Sequence, residues 1–130
     1  MNNGTEISLT ALRVSDLERS AEFYVNACGL SRLHEIAAST FDGVIVGRED
    51  GVGGGLELVR EREGFETIDI GTGFVKTVLT VDDVDLATER AGAAGAVVVM
   101  EPQSLAQMGG LRLSMVRDLD GYVVEFVQRR

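Results

Sequence analysis

The sequence predicts an α+β fold made of two similar halves, each with the order strand, helix, strand, strand, strand. The segment LRVSDLE at 12–18 is repeated as LTVDDVD at 79–85, an offset of 67 residues. Later in each half, LELV at 56–59 is repeated as VEFV at 124–127, an offset of 68 residues. Because the offset is nearly constant, a duplicated βαβββ module is indicated. Two such modules in tandem can form a curved mixed sheet that encloses a cup.

Length and composition favour one domain over residues 1–130, without a membrane segment or a nucleic-acid partner. The chain is 45% hydrophobic and 25% charged, which is typical of globular proteins. Its net charge of −9 would repel phosphate groups. No apolar run approaches the roughly 20 residues of a membrane helix, and no signal peptide is visible. The single cysteine, Cys28, suits a reducing compartment, so we expect a cytoplasmic protein.

The first module is expected over 1–62. A strand over 7–14 is followed by Ser15 and Glu18, the spacing of a capping box at a helix start. Apolar residues then recur at helical spacing up to Cys28, and Gly29 is a suitable helix stop. Alternating or β-branched segments predict the remaining strands at 32–38, 41–46 and 56–60. The polar, glycine-bearing segment 63–73 is interpreted as the linker.

The second module is expected over 74–130. A strand over 75–81 leads to a helix capped by Asp82, whose apolar face includes Val84 and Ala87. The β-branched run 97–100 predicts a strand that Pro102 ends. The remaining elements are predicted as a loop at 103–110, a strand at 111–116, a turn at 118–121 and a strand at 122–128.

This arrangement resembles the vicinal oxygen chelate superfamily, which includes glyoxalase I, extradiol dioxygenases, fosfomycin-resistance enzymes and bleomycin-resistance proteins. The residues that carry the resemblance are LRVSDLERS at 12–20, FY at 23–24, CGL at 28–30, VDDV at 81–84, AGA at 94–96 and DLDGYVVEF at 118–126. The resemblance implies a glyoxalase-like fold. It also implies a homodimer, since members of this size often complete each cup with a partner subunit.

In the metal-using members, four inward-facing positions supply ligands, commonly two histidines and one or two glutamates. The resemblance places these positions at Leu9, Glu57, Lys76 and Glu125. Leucine has no donor atom, and the lysine ammonium has no lone pair to offer a cation. Two carboxylates are fewer ligands than such a site usually needs. We therefore expect no metal and no other cofactor; the only histidine, His34, falls on a different strand.

Strand alternation predicts which side chains share the face of these four positions. They are Leu9, Ala11, Arg13, Glu57, Val59, Lys76, Val78, Val123 and Glu125. The opposite face, including Leu56, Leu58, Val124 and Phe126, is predicted to form the core under the helices. Met108, in the predicted loop at 103–110, is a candidate for a mobile lid.

Two functions remain open. In the first, the protein binds, and could sequester, a small hydrophobic or aromatic molecule in the cup. In the second, it is a metal-independent isomerase or lyase in which Glu57 or Glu125 moves a proton and Lys76 stabilises an enolate-like oxygen. Alternatively, the charges of Glu57, Lys76 and Glu125 could form a purely structural ion pair. The aromatic content of 5% counts against a strongly stacking pocket.

Overall fold

The computed structural model of the chain describes residues 3–130, which contain two four-stranded mixed sheets. The chain divides into two units between Ile68 and Asp69, and each unit contains one of the sheets. The α+β fold class and the tandem order of the elements agree with the sequence prediction. Within the described part of the chain, no helix has the length and apolar character needed to cross a membrane.

The first unit has the strand order β1-β4-β3-β2, in which β1 runs parallel to β4 and the other neighbours are antiparallel. Alternate residues of β4 are buried against the helix that follows β1. Its elements are β1 (Leu9–Arg13), α1 (Leu17–Glu22), a π-helical turn (Phe23–Ala27), β2 (Ser31–Ala37), β3 (Phe41–Gly47) and β4 (Gly55–Glu61).

The helix of the first unit begins one residue later than the capping-box pattern predicts. Asp16 is the N-cap, and its Oδ1 accepts a hydrogen bond from the backbone N of Arg19 at 3.1 Å. The predicted single helix is divided into α1 and the π-helical turn. Gly29 follows with a φ of 83°, a left-handed conformation that glycine adopts without strain.

The second unit has the corresponding order β5-β8-β7-β6, with β5 parallel to β8. The equal pairing pattern in both units explains the nearly constant offset of the repeated segments. Its elements are β5 (Thr77–Val81), α2 (Val84–Ala93), β6 (Val97–Leu105), a 3-10 turn (Ala106–Met108), β7 (Leu111–Arg117) and β8 (Val123–Gln128).

Two predictions for the second unit are wrong. Asp83, not Asp82, caps α2, because its Oδ1 accepts a hydrogen bond from Leu86 N at 3.0 Å. Pro102 does not end a strand, since β6 continues to Leu105. Its missing N–H is tolerated because β6 is an edge strand and its register shifts between Met100 and Gln103.

The helix-facing side of the second sheet forms a buried core, as the alternation predicted. Val124 and Phe126 of β8 are fully buried, together with Val116 of β7. A pair of hydroxyls lies within this apolar layer. Thr88 of α2 donates to the carbonyl O of Val84 at 2.6 Å, and its Oγ1 lies 2.7 Å from Ser114 Oγ. Since Thr88 uses its hydrogen on Val84, the Ser114 hydroxyl is the donor between them.

We expect Thr88→Val to lower the free energy of unfolding by about 1–3 kcal/mol, because the buried Ser114 hydroxyl loses its acceptor. The double variant Thr88→Val/Ser114→Ala should recover most of that loss, since no orphaned donor remains. Urea denaturation of the two variants and of the unaltered protein measures both effects. A double variant less stable than Thr88→Val would contradict this account.

Candidate functional site

The side of the second sheet that faces away from α2 is here called its open face. Ser114 contacts α2, so the alternate residues of β7 lie on the open face. Direct cross-strand partners share a face, and they join one residue from each strand into a row. This central row is Met100, Met115, Glu125 and Val78. Glu125 is only 7% exposed within it, whereas Val78 is 50% exposed.

Lys76 is the ionic partner of Glu125. The predicted strand over 75–81 begins later than expected, at Thr77, so Lys76 lies immediately before β5. Its Nζ is 2.6 Å from Glu125 Oε1, a short charge-assisted hydrogen bond. The Lys76 side chain is 35% exposed and that of Glu125 is 10% exposed. A nearly buried carboxylate is thus neutralised by an ammonium that remains accessible.

The first sheet carries an equivalent row of His34, Ile45, Glu57 and Ala11. Glu57 has no hydrogen bond or ion pair with any side chain in residues 3–130. Leu9, the residue equivalent to Lys76 in the repeat, lies on β1 beside Gly55 and is partly exposed. The two carboxylates therefore occupy equivalent positions but have different electrostatic surroundings.

Arg13 and Val59 lie side by side in the register of the first sheet. The Arg13 guanidinium is already engaged, because its Nε lies 2.9 Å from Glu61 Oε1. The same guanidinium lies 5.5 Å from the centre of the Phe65 ring, a cation–π contact. The Arg13 side chain is therefore held in place by Glu61 and Phe65 of the first unit.

Val123 and Met108 complete the predicted binding residues of the second unit. Val123 precedes Glu125 by two residues on β8 and shares its open face. Met108 lies in the 3-10 turn with an exposed side chain, and its carbonyl O accepts a hydrogen bond from Arg130 Nη2 at 3.0 Å. The segment predicted as a lid is thus shorter than expected, because Gln103–Leu105 belongs to β6.

Three other residues with charged or reactive side chains are Arg112, His34 and Cys28. Arg112 points to the helix side of the second sheet, where its Nε and Nη2 each lie 2.7 Å from Asp85. This hydrogen bonding lowers the pKa of the Asp85 carboxyl below its usual value. His34 is exposed on the edge strand β2, in the same row as Glu57, and the Cys28 thiol is buried.

The residues at the four family ligand positions do not fit a divalent metal. Leu9 has no donor atom, and the Lys76 nitrogen is an ammonium that donates to Glu125. A cation placed at Glu125 would have to displace this ammonium or lie close to its charge. Over residues 3–130, no three histidine, cysteine, aspartate or glutamate side chains are grouped so that they could hold a metal ion.

Comparison with known proteins agrees with the fold. The model of the Glyoxalase/Bleomycin resistance protein/Dioxygenase superfamily matches residues 6–126. A probable lactoylglutathione lyase of Vibrio parahaemolyticus is 31% identical over 132 residues, covering 100% of this chain and 94% of that protein.

Two plant proteins are similar over part of their length. Lactoylglutathione lyase GLX1 of Arabidopsis thaliana is 31% identical over 119 residues, which covers 90% of this chain and 42% of that protein. The crystal structure of glyoxalase I from Zea mays has a TM-score of 0.83 at 27% identity, covering 95% of this chain and 44% of that chain. The chain therefore spans less than half of the length of either plant protein.

We expect Lys76→Met to lower the free energy of unfolding by about 1–3 kcal/mol, because the nearly buried Glu125 carboxylate loses its counter-charge. The double variant Lys76→Met/Glu125→Gln should be more stable than Lys76→Met, since no charge is left unpaired. Urea denaturation at neutral pH measures both. As a matched control, Arg112→Met breaks an exposed ion pair and should cost less than Lys76→Met.

Proposed function

Because the chain belongs to the Glyoxalase/Bleomycin resistance protein/Dioxygenase superfamily, we propose that it is a metal-independent member that binds a small hydrophobic or aromatic molecule. The observation that carries this proposal is the 2.6 Å contact between Lys76 Nζ and Glu125 Oε1. A cationic side chain supplies at Glu125 the positive charge that a metal ion would otherwise supply.

The same contact argues against a metal-dependent function. Binding of a divalent cation by Glu125 would place that cation within a few ångströms of the Lys76 ammonium, where like charges repel strongly. Releasing Lys76 from Glu125 would also leave the ammonium without its partner. Leu9 offers no donor atom, so Glu57 and Glu125 are the two possible ligands that remain among the four positions.

The open face of the second sheet has the chemistry of a ligand site. Most of its residues are apolar, and the ion pair of Lys76 and Glu125 lies among them. An apolar surface with a few polar groups that orient the bound molecule is typical of small-molecule sites. Met100 and Met115 have flexible thioether side chains that adapt to ligand shape. On this proposal Val78 and Val123 contribute apolar contacts, and Lys76 and Glu125 orient the bound molecule. Retention of such a molecule would be enough for a sequestering role.

A second candidate function is a metal-independent isomerase or lyase, and it is favoured by the Glu57 carboxylate, which has no side-chain partner within residues 3–130. A carboxylate without a partner can accept a proton from a substrate that comes within hydrogen-bond distance. The similar proteins of Vibrio parahaemolyticus and Arabidopsis thaliana, both described as lactoylglutathione lyases, are consistent with a lyase. Glu57→Gln should abolish turnover if this function holds, while ligand binding persists.

We also propose that the protein is a cytoplasmic homodimer. The homodimer rests on the resemblance to small members of the superfamily. The cytoplasmic location rests on the single, buried Cys28, since a protein with one free thiol is suited to a reducing compartment.

The chelator-treated protein should take up no stoichiometric Zn²⁺ or Ni²⁺, as measured by titration calorimetry and elemental analysis. The matched variant is Lys76→His, which replaces the ammonium beside Glu125 with an imidazole and should bind either ion more tightly than the unaltered protein does. The unaltered protein should also show no lactoylglutathione lyase activity that depends on either ion. One tightly held metal ion per unaltered chain would overturn the metal-independent assignment.

Ligand binding is tested separately with ethylbenzene, an uncharged aromatic probe. Its addition should shift the NMR methyl signals of Met115 and Val123 in a saturable manner, because these groups share the proposed binding face. The absence of a saturable shift with this and with other small aromatic probes would contradict the binding function.

A further inference from the structure

We propose that the ligand is an uncharged, largely apolar molecule with a carbonyl oxygen, and that this oxygen accepts a hydrogen bond from Lys76. This inference rests on the proposed binding function and specifies the chemical class of the ligand. It assigns to Lys76 the role of a specificity-determining residue.

The first argument is the number of hydrogen-bond donors. A lysine ammonium has three N–H groups, and Lys76 uses one of them on Glu125 Oε1. In the described part of the chain, its Nζ has no other hydrogen-bond partner. Two donors therefore remain for a ligand. Lys76 is also the more accessible partner, with its side chain 35% exposed against 10% for Glu125. The ion pair presents a donor, rather than an acceptor, to an approaching molecule.

The second argument is charge. Lys76 and Glu125 together are neutral, and the chain as a whole carries −9. An anionic ligand would come close to the Glu125 carboxylate, whereas a cationic ligand would be repelled by the ammonium. An uncharged carbonyl oxygen accepts the hydrogen bond without bringing a further charge out of water. The thioethers and valines nearby suit the apolar remainder of such a molecule.

The third argument is the use of lysine at this one position. Lysine and arginine together number 12 in the chain, and Lys76 is the only lysine. The arginine that pairs with Asp85 uses two nitrogens on one carboxylate, as the planar guanidinium favours. The lysine ammonium makes a single contact with Glu125 and keeps its other donors available. The first sheet has no such donor at the equivalent position, which is Leu9.

The experiment compares four probes, each of which contains one benzene ring: acetophenone, ethylbenzene, benzoate and benzylamine. NMR titration of the Met115 and Val123 methyl signals gives the Kd of each. We expect acetophenone to bind about tenfold more tightly than ethylbenzene, because only the ketone accepts a hydrogen bond from a charged donor. Benzoate and benzylamine should both bind more weakly than acetophenone. In Lys76→Met the preference for acetophenone over ethylbenzene should fall to about one, as expected when the donor is lost.

A chemical modification provides the second test, which does not depend on the folding of Lys76→Met. Lys76 is the only lysine, so reductive dimethylation modifies no other lysine side chain. The dimethylated nitrogen keeps its positive charge and one N–H. That N–H can still bind Glu125, but no donor remains for the ligand. The preference for acetophenone should again fall to about one, as for the methionine variant, while ethylbenzene binds as before. Arg90→Met, on the exposed surface of α2, is the control and should keep the full preference.

Equal affinity for acetophenone and ethylbenzene in the unaltered protein would overturn this inference and leave the binding function intact. Tighter binding of benzoate or benzylamine than of acetophenone would also overturn it. The failure of the proposed function is recognised differently, by the absence of saturable binding for any probe or by stoichiometric metal uptake.

Discussion

The ion pair between Lys76 and Glu125 determines the chemistry available on the second sheet. Register places Glu125 in the centre of the sheet between Met115 and Val78, where its side chain is largely covered. An unpaired carboxylate at such a position would be costly, so a positive charge must accompany it. Because the ammonium of Lys76 supplies that charge, the pair is neutral and its more accessible member is a hydrogen-bond donor.

The duplicated architecture makes this effect visible within one molecule. Both units place a glutamate on the second strand of the sheet order, β4 or β8, and both bury the neighbouring residues of that strand under a helix. One unit has Leu9 where the other has Lys76. The backbone frameworks are therefore alike, whereas Glu125 has a counter-charge and Glu57 has no side-chain partner within residues 3–130.

The relation to the superfamily follows the same division between framework and chemistry. Similarity to the Vibrio parahaemolyticus protein extends over the whole chain, which is the evidence for a shared fold. The metal-ligand positions are only four of the aligned residues, so they can change while the overall sequence identity is retained. Because function resides in a few side chains, the same fold can host a metal-dependent reaction in one member and metal-free binding in another.

The sequence alone determined the repeat, the order of elements and the buried faces, because strand alternation and helical spacing are local properties of the chain. Leu58 and Phe126 are buried as that pattern predicted. The tertiary structure decided the helix cap at Asp83, since adjacent aspartates differ only in backbone geometry. It also decided that Pro102 lies within an edge strand, because sheet order is not a local property. The contact between Lys76 and Glu125 joins residues 49 apart, and only folding brings their charged groups within hydrogen-bond distance.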